Sequence, residues 1–237
     1  MHQPAYCRAA AYDDFARSLD DCESLDGLVC AATAITRHEF PQSDAAAVGS
    51  TLDQLAAAVR RAAPSGSTGA RLAHLHDLLF DVVGFHGNTD DYYNPANSYL
   101  PEVLRSRRGI PISLVLVYKA VAARVGLRVD GVNAPGHFLA AVYDEEHPRG
   151  APLLVDPFYG GAVLDREEAV ARLSLASGRP VDPGDYVFRP ASHREWLMRM
   201  LNNLVAVFAH TGRERDALAM QELQELLAAR IGYARKL

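Results

Sequence analysis

The stretch Arg107-Arg108-Gly109-Ile110-Pro111-Ile112-Ser113-Leu114-Val115-Leu116-Val117-Tyr118 restricts what this chain can fold into more than any other. A Gly-Ile-Pro corner opens a run that is apolar almost all the way round. Pro111 lacks an amide hydrogen and presets φ, which suits the first turn of a helix. Neither proline nor glycine recurs until Gly126, a natural stop. A helix apolar on every side is buried on every side. The pattern therefore predicts a central helix over 111–125, with Ser113 in its first turn.

The chain has 237 residues, enough for one substantial domain and a small appendage. Its net charge of -5 argues against a nucleic-acid binder, which carries a basic excess. Arg105, Arg107 and Arg108 form a local basic cluster, read as solvated or ion-paired. The N-terminus has no basic segment followed by an apolar one, and no apolar run approaches the ~18 residues that span a bilayer. The expected compartment is the cytoplasm, with no membrane partner. Cys7, Cys22 and Cys30 are the only cysteines. Their odd number and wide spacing suit neither a disulfide framework nor a zinc site. Cys30 lies in an apolar helical pattern and reads as a small core residue.

Residues 12–38 read as two helices, the second capped by Ser24 or Asp26 and stopped by Pro41. Thr51-Leu52-Asp53-Gln54 fits a capping box opening a helix to about Ala63. Pro64 to Gly69 reads as a flexible loop, followed by a helix over about 70–83. Residues 84–97 form the longest polar, turn-rich loop, interleaving aromatics with hydrogen-bonding side chains; such loops are often functional or self-packed. Asn97-Ser98 can cap a short helix carrying Tyr99 and Leu100. After Gly126 the pattern turns to strands at 128–134, 137–143 and 153–156. Asp165 caps a short helix through Leu173, and 176–190, rich in Pro, Gly and Asp, reads as a linker. Ser192-His193-Arg194-Glu195 is a second capping box, opening a helix through His210 that pairs with another over about 213–229. A buried Asn202-Asn203 is expected to hydrogen-bond to the sheet or a loop.

The pair that could carry chemistry is His137 and Asp156. His137 opens one strand after Pro135-Gly136, and Asp156 closes the next before Pro157. If the strands are antiparallel neighbours, the carboxylate can fix the imidazole tautomer and raise its basicity, the base-and-orienter half of a nucleophilic triad. The bland alternative is a buried hydrogen bond that stiffens the sheet edge. The first turn of the central helix offers no thiol, only the hydroxyl of Ser113. His74 and His76, two apart on a helix, make a poor metal pair. No metal site or cofactor is expected.

Two runs of residues carry a family resemblance. The first is Gly87-Asn88, Asp91-Tyr92-Tyr93-Asn94-Pro95, Asn97-Ser98-Tyr99-Leu100 and Arg108-Gly109-Ile110-Pro111-Ile112-Ser113. The second is Pro135-Gly136-His137-Phe138-Leu139, Asp156-Pro157-Phe158 and Gly161. Together they resemble the bacterial Sir-B-type, transglutaminase-like proteins, a domain related to one in a eukaryotic F-box protein. The resemblance is strong over 70–165, and the stretch Arg199 to Leu204 resembles that family's tetratricopeptide-like hairpin. It implies an α+β fold: a papain-like or transglutaminase-like core, with a central helix packed on a small antiparallel sheet. A helical subdomain (1–69) would precede the core (70–175), with a linker (176–190) and a helical hairpin (191–237) after it. It also implies that His137 and Asp156 occupy the family's His and Asp positions. The family's cysteine position falls within 111–113, at Pro111 or Ile112, where this chain has no thiol.

The first expectation is thus a transglutaminase-like module without its nucleophile. It would bind a peptide, protein or small molecule through the cleft and the aromatic loop, with Asn94, Asn97, Tyr99, Arg108 and Phe138 as candidate binding residues. Alternatives are a hydrolase using Ser113, His137 and Asp156; a site that brings Cys22 or Cys30 to His137; and a scaffold whose cleft is filled by its own side chains.

Overall fold

The computed structural model describes residues 3–63, 67–144 and 150–234, and the side chains of all of these except Asp185 and residues 231–234. Of the loop read at Pro64 to Gly69, residues 64–66 lie outside them, as does most of the 144–152 connection; Thr68 and Gly69 are not loop but open a helix capped by Ser67. The elements run α1 (Ala9–Ser18), α2 (Leu25–Thr36), α3 (Ala45–Ala62), α4 (Thr68–His76), β1 (His86–Gly87), α5 (Leu100–Ser106), β2 (Arg108–Gly109), α6 (Pro111–Arg124), β3 (Arg128–Ala134), β4 (His137–Tyr143), β5 (Leu153–Asp156), β6 (Ala162–Leu164), α7 (Arg166–Ser177), α8 (His193–His210) and α9 (Glu214–Ala234). A π-helical turn over Asp77–Val82 extends α4, and 3-10 turns lie at Leu19–Asp21, Pro95–Ser98, Pro157–Tyr159 and Asp185–Phe188. The fold is α+β, as the sequence led us to expect. None of the described helices is long and apolar enough to cross a membrane.

The chain divides into two compact units, neither continuous in sequence. The first takes Met1–Gly49, Asp91–Arg105 and Ser192–Leu237; the second takes Ser50–Asp90 and Ser106–Ala191.

In the first unit α1 packs on α2 and α9, and α8 packs on α2 and α9. Ser24 caps α2 by accepting from the Gly27 amide. Phe15, Leu28, Ile35, Trp196 and Phe208 are fully or almost fully buried, each a contribution of roughly 1.5–3 kcal/mol. Cys30, expected in the core, is exposed on α2; Leu28, Val29, Ala31 and Ala32 fill the buried faces around it. Asn202 is also exposed rather than buried, and its Oδ1 accepts from Gln224 Nε2 of α9 at 2.7 Å. The Ser192–Glu195 capping box opens α8 as read. The backbone amides of Ala5, Tyr6 and Cys7 all donate to the Glu222 carboxylate, at 2.7 to 3.2 Å. One acidic side chain on α9 thereby ties down the segment before α1.

In the second unit α6 is the buried central helix, with every residue from Pro111 to Ala122 inside. Gly126 stops it with φ of +74°, and the Leu127 amide returns to the Ala122 carbonyl. α6 packs on β3 and β4, which begin the antiparallel sheet β3-β4-β5-β6. α7 covers the other face, where Ala169 and Leu173 join Val132, Leu139, Ala141, Leu154 and Leu164 in one core. The 176–190 stretch adds Val181 and Val187 to that core, and α7 runs to Ser177 rather than Leu173.

The capping box read at Thr51 is not a helix start. α3 begins at Ala45, where Asp44 accepts from the Ala46 amide, because Ala45-Ala46-Ala47 are the strongest helix formers available. β1 and β2 form a two-residue parallel ladder that pairs Gly87 with Gly109. A Cβ on Gly87 would sit 2.4 Å from the Phe158 ring. Gly87→Ala is therefore expected to cost about 1–3 kcal/mol through overpacking, read as a lower urea midpoint with an unchanged slope.

Candidate functional site

The antiparallel ladder brings His137 and Asp156 together. Alternation along β4 puts His137, Leu139 and Ala141 on one face. Ala141 pairs with Leu154 of β5, whose face Asp156 shares. This is the face α7 covers, so the pair is buried under α7: His137 is 5% exposed and Asp156 0%. The His137 Nε2 lies 2.9 Å from Asp156 Oδ2.

Two further donors meet the same carboxylate. Arg172 Nη1 donates to Oδ2 at 2.9 Å, and the Phe158 amide donates to Oδ1 at 3.1 Å, opening the turn at Pro157. Burial alone would raise the Asp156 pKa; hydrogen bonds and charge from His137 and Arg172 outweigh it and hold the carboxyl below its ordinary value. An ionised carboxylate only accepts, so Nε2 carries the ring hydrogen. The guanidinium of Arg172 is backed by the Tyr159 ring, whose centroid is 4.6 Å away, and Phe158 meets the imidazole edge-on at 6.0 Å. The sequence reading missed Arg172. No local pattern marks it, since a residue directly before the buried Leu173 points about 100° away from it on the helix.

The other residues singled out from sequence lie elsewhere. Ser113 is fully buried, and its hydroxyl donates to the Ile110 carbonyl at 3.0 Å, closing the first turn of a helix that packs on the opposite sheet face. That geometry counts against Ser113 as a nucleophile. Phe138 alternates away from His137 and is core, at 1% exposure. Arg108 is exposed and faces Asp90 at 3.4 Å.

Asn94, Asn97 and Tyr99 belong to the first unit. Asn94 Oδ1 accepts from the Ala96 amide, and its Nδ2 donates to Asp91 Oδ2. Asn97 Nδ2 donates to the carbonyls of Asp91 and Tyr92. Tyr99 is fully buried, edge-on to Phe40 at 5.9 Å. Asn94 and Asn97 hold the loop in shape, and Tyr99 is a core residue after it.

The three thiols also lie in the first unit. Burial pushes Cys7 up to about 12, with help from the Glu222 charge. It raises the buried Cys22 as well, and partial desolvation raises the exposed Cys30, with the charges of Asp26 and Asp21 adding to the effect. Their environments protect the thiol form, the opposite of what activates a nucleophilic cysteine. Among the described residues no three His, Cys, Asp or Glu side chains group as a metal site.

A family model described as the transglutaminase-like superfamily matches residues 46–202. The chain belongs to that superfamily. The matched segment spans the central helix, the sheet and the His137–Asp156 pair. Among similar proteins, a UPF0162 protein of Xylella fastidiosa strain 9a5c is 37% identical over 213 residues, covering 87% of this chain and 74% of that protein. F-box only protein 21 of Mus musculus is 48% identical over 158 residues, which is 64% of this chain and 24% of that much longer protein. A UPF0162 protein of Pseudomonas aeruginosa is 32% identical over 135 residues, 57% of this chain and 47% of that one. No solved structure matches the chain.

Proposed function

We propose that this chain is a non-catalytic member of the transglutaminase-like superfamily, a module that binds a peptide, protein or small molecule. The observation that supports this reading is how Asp156 is used. Its carboxylate is enclosed by three donors, His137, Arg172 and the Phe158 amide, as a structural ion-pair centre is. The first turn of α6 presents Pro111, Ile112 and an inward-bonded Ser113, with no thiolate to attack a carbonyl. We place the chain in the Sir-B-type branch, on the motif running from Gly87 to Ser113 and on Pro135-Gly136-His137. The α8–α9 pair, joined by a turn at Thr211-Gly212, then serves as a tetratricopeptide-like partner surface.

The test is a panel of amide, ester, peptide and amine-transfer substrates offered to the wild type and to His137→Ala. No turnover that responds to the substitution is expected. A reaction abolished by His137→Ala would overturn the proposal.

A further inference from the structure

We infer that the groove between α1 and α9 is a docking site for a basic amphipathic helix of a partner protein, whose lysine or arginine side chains settle at Tyr12 between the carboxylates of Asp13 and Glu225. The inference goes beyond the reading of the His137 site: the groove lies wholly in the first unit and stands whatever that site does.

α1 and α9 run side by side in the same direction. Just before α1 the Cys7 amide donates to the Glu222 carboxylate at 2.8 Å, and just after α1 Asp20 meets Arg230 at 2.6 Å. Between these two ties lies an open groove of about 550 Å³, with Tyr12, Ala16 and Leu226 along its floor. All three are partly exposed, and volumes of this order hold ligands. From Tyr12 to Asp20 the groove runs for about 12 Å, or two turns of a helix. A floor between two parallel helices suits a third laid along it, anchored by apolar residues one turn apart.

Charge selects the occupant. At one end the cations are already paired, Arg230 with Asp20 and Arg17 with Asp14. At the Tyr12 end the carboxylates are not. Asp13 and Glu225 are exposed and have no hydrogen bond or ion pair among the described residues. Glu222 adds a third negative charge, bonded to neutral backbone amides. Burial raises the pKa of the Tyr12 hydroxyl, and the charges of Glu222, Glu225 and Asp13 raise it further, so all three act at this ring. An aromatic ring among carboxylates attracts a cation through its quadrupole and through their charge. The aliphatic stem of a lysine or arginine covers the apolar floor beside it. An acidic helix would bring like charge to the same end.

The experiment follows the backbone amide signals of the full chain by NMR while two synthetic amphipathic peptides are added in turn. One is built of leucine, alanine and lysine; the other has glutamate for lysine. The lysine peptide is expected to shift the signals of α1 and α9 around Tyr12 and Leu226, and the glutamate peptide to leave them in place. Asp13→Asn and Glu225→Gln change exposed side chains that hold no part of the fold. Each is expected to weaken the lysine peptide about 3-fold, as loss of an exposed ion pair does, and the two together about 10-fold. Glu167→Gln removes the same charge from α7 and is expected to leave the affinity unchanged. Equal weakening by Glu167→Gln would reduce the effect to net charge and overturn the inference. So would a lysine peptide that does not bind, equal binding of both peptides, or shifts confined to other elements. Signals of α1 and α9 that move with protein concentration alone would seat a second copy in the groove and overturn it too. The substrate panel decides the reading of His137 separately.

Discussion

Asp156→Ala is expected to lower the unfolding free energy by about 3–5 kcal/mol, the range for removing one partner of a buried ion pair. The size follows from what is left behind. The guanidinium of Arg172, the imidazole of His137 and the Phe158 amide all aim at the same buried carboxylate. Each would lose its acceptor; His137 is almost closed to water, while the partly exposed Arg172 side chain is only partly so. Urea unfolding of the variant should show the loss as a lower midpoint at constant slope. Asp156→Asn gives the pH dependence. The folded-state pKa of Asp156 is depressed, so its contribution is present above the unfolded value of about 3.9 and is lost as pH falls through the folded one. The stability gap between wild type and Asp156→Asn should therefore be full near neutral pH and narrow below about pH 4. A gap that stays constant into acid would show that the carboxylate charge contributes nothing.

Gly136→Ala should cost about 2–4 kcal/mol, through two effects that a control separates. Gly136 has φ of +70°, so any L side chain there is strained by about 1–2 kcal/mol. Its Cβ would also lie 2.6 Å from the backbone of Ala176 and Ser177, and backbone cannot rotate aside as a side-chain tip does. Either the turn into β4 opens or the end of α7 is pushed back, and these carry His137 and Arg172 respectively. Gly84 supplies the control: φ is +80° and nothing lies within 4 Å of its would-be Cβ. Gly84→Ala should carry the strain alone. The difference between the two variants reads the close approach, and equal losses would show that the turn and α7 do not resist each other.

Much of this architecture was legible in the sequence because local signals agreed. Pro111 and Gly126 bracket α6, alternation marks β3 and β4, and the cap at Asp165 and the box at Ser192 set two helix starts. The His137–Asp156 pair was legible for the same reason, since a residue opening one strand and a residue closing the next meet if the strands are antiparallel. What was missed depends on long-range packing. Arg172 reaches Asp156 from a separate helix, and no local pattern says which exposed-type residue will turn inward. Thr51 satisfied a capping box, yet the alanines before it carried the helix past that point. Cys30 satisfied an apolar pattern, yet its neighbours Leu28, Val29, Ala31 and Ala32 took the buried faces of α2. Phe138 sat beside His137 in a motif, yet strand geometry sends adjacent side chains to opposite faces.

The way the first unit is assembled constrains how the protein can be made. A nascent chain emerging from the ribosome can complete the second unit, Ser50–Asp90 and Ser106–Ala191, before α8 and α9 exist, while α1 and α2 wait for those helices. Until Glu222 has been synthesised, the amides of residues 5–7 lack their acceptor. α1 and α2 can pair with each other at once, but the faces that meet α8 and α9 stay uncovered until those helices are made. That interval is when a chaperone would find them.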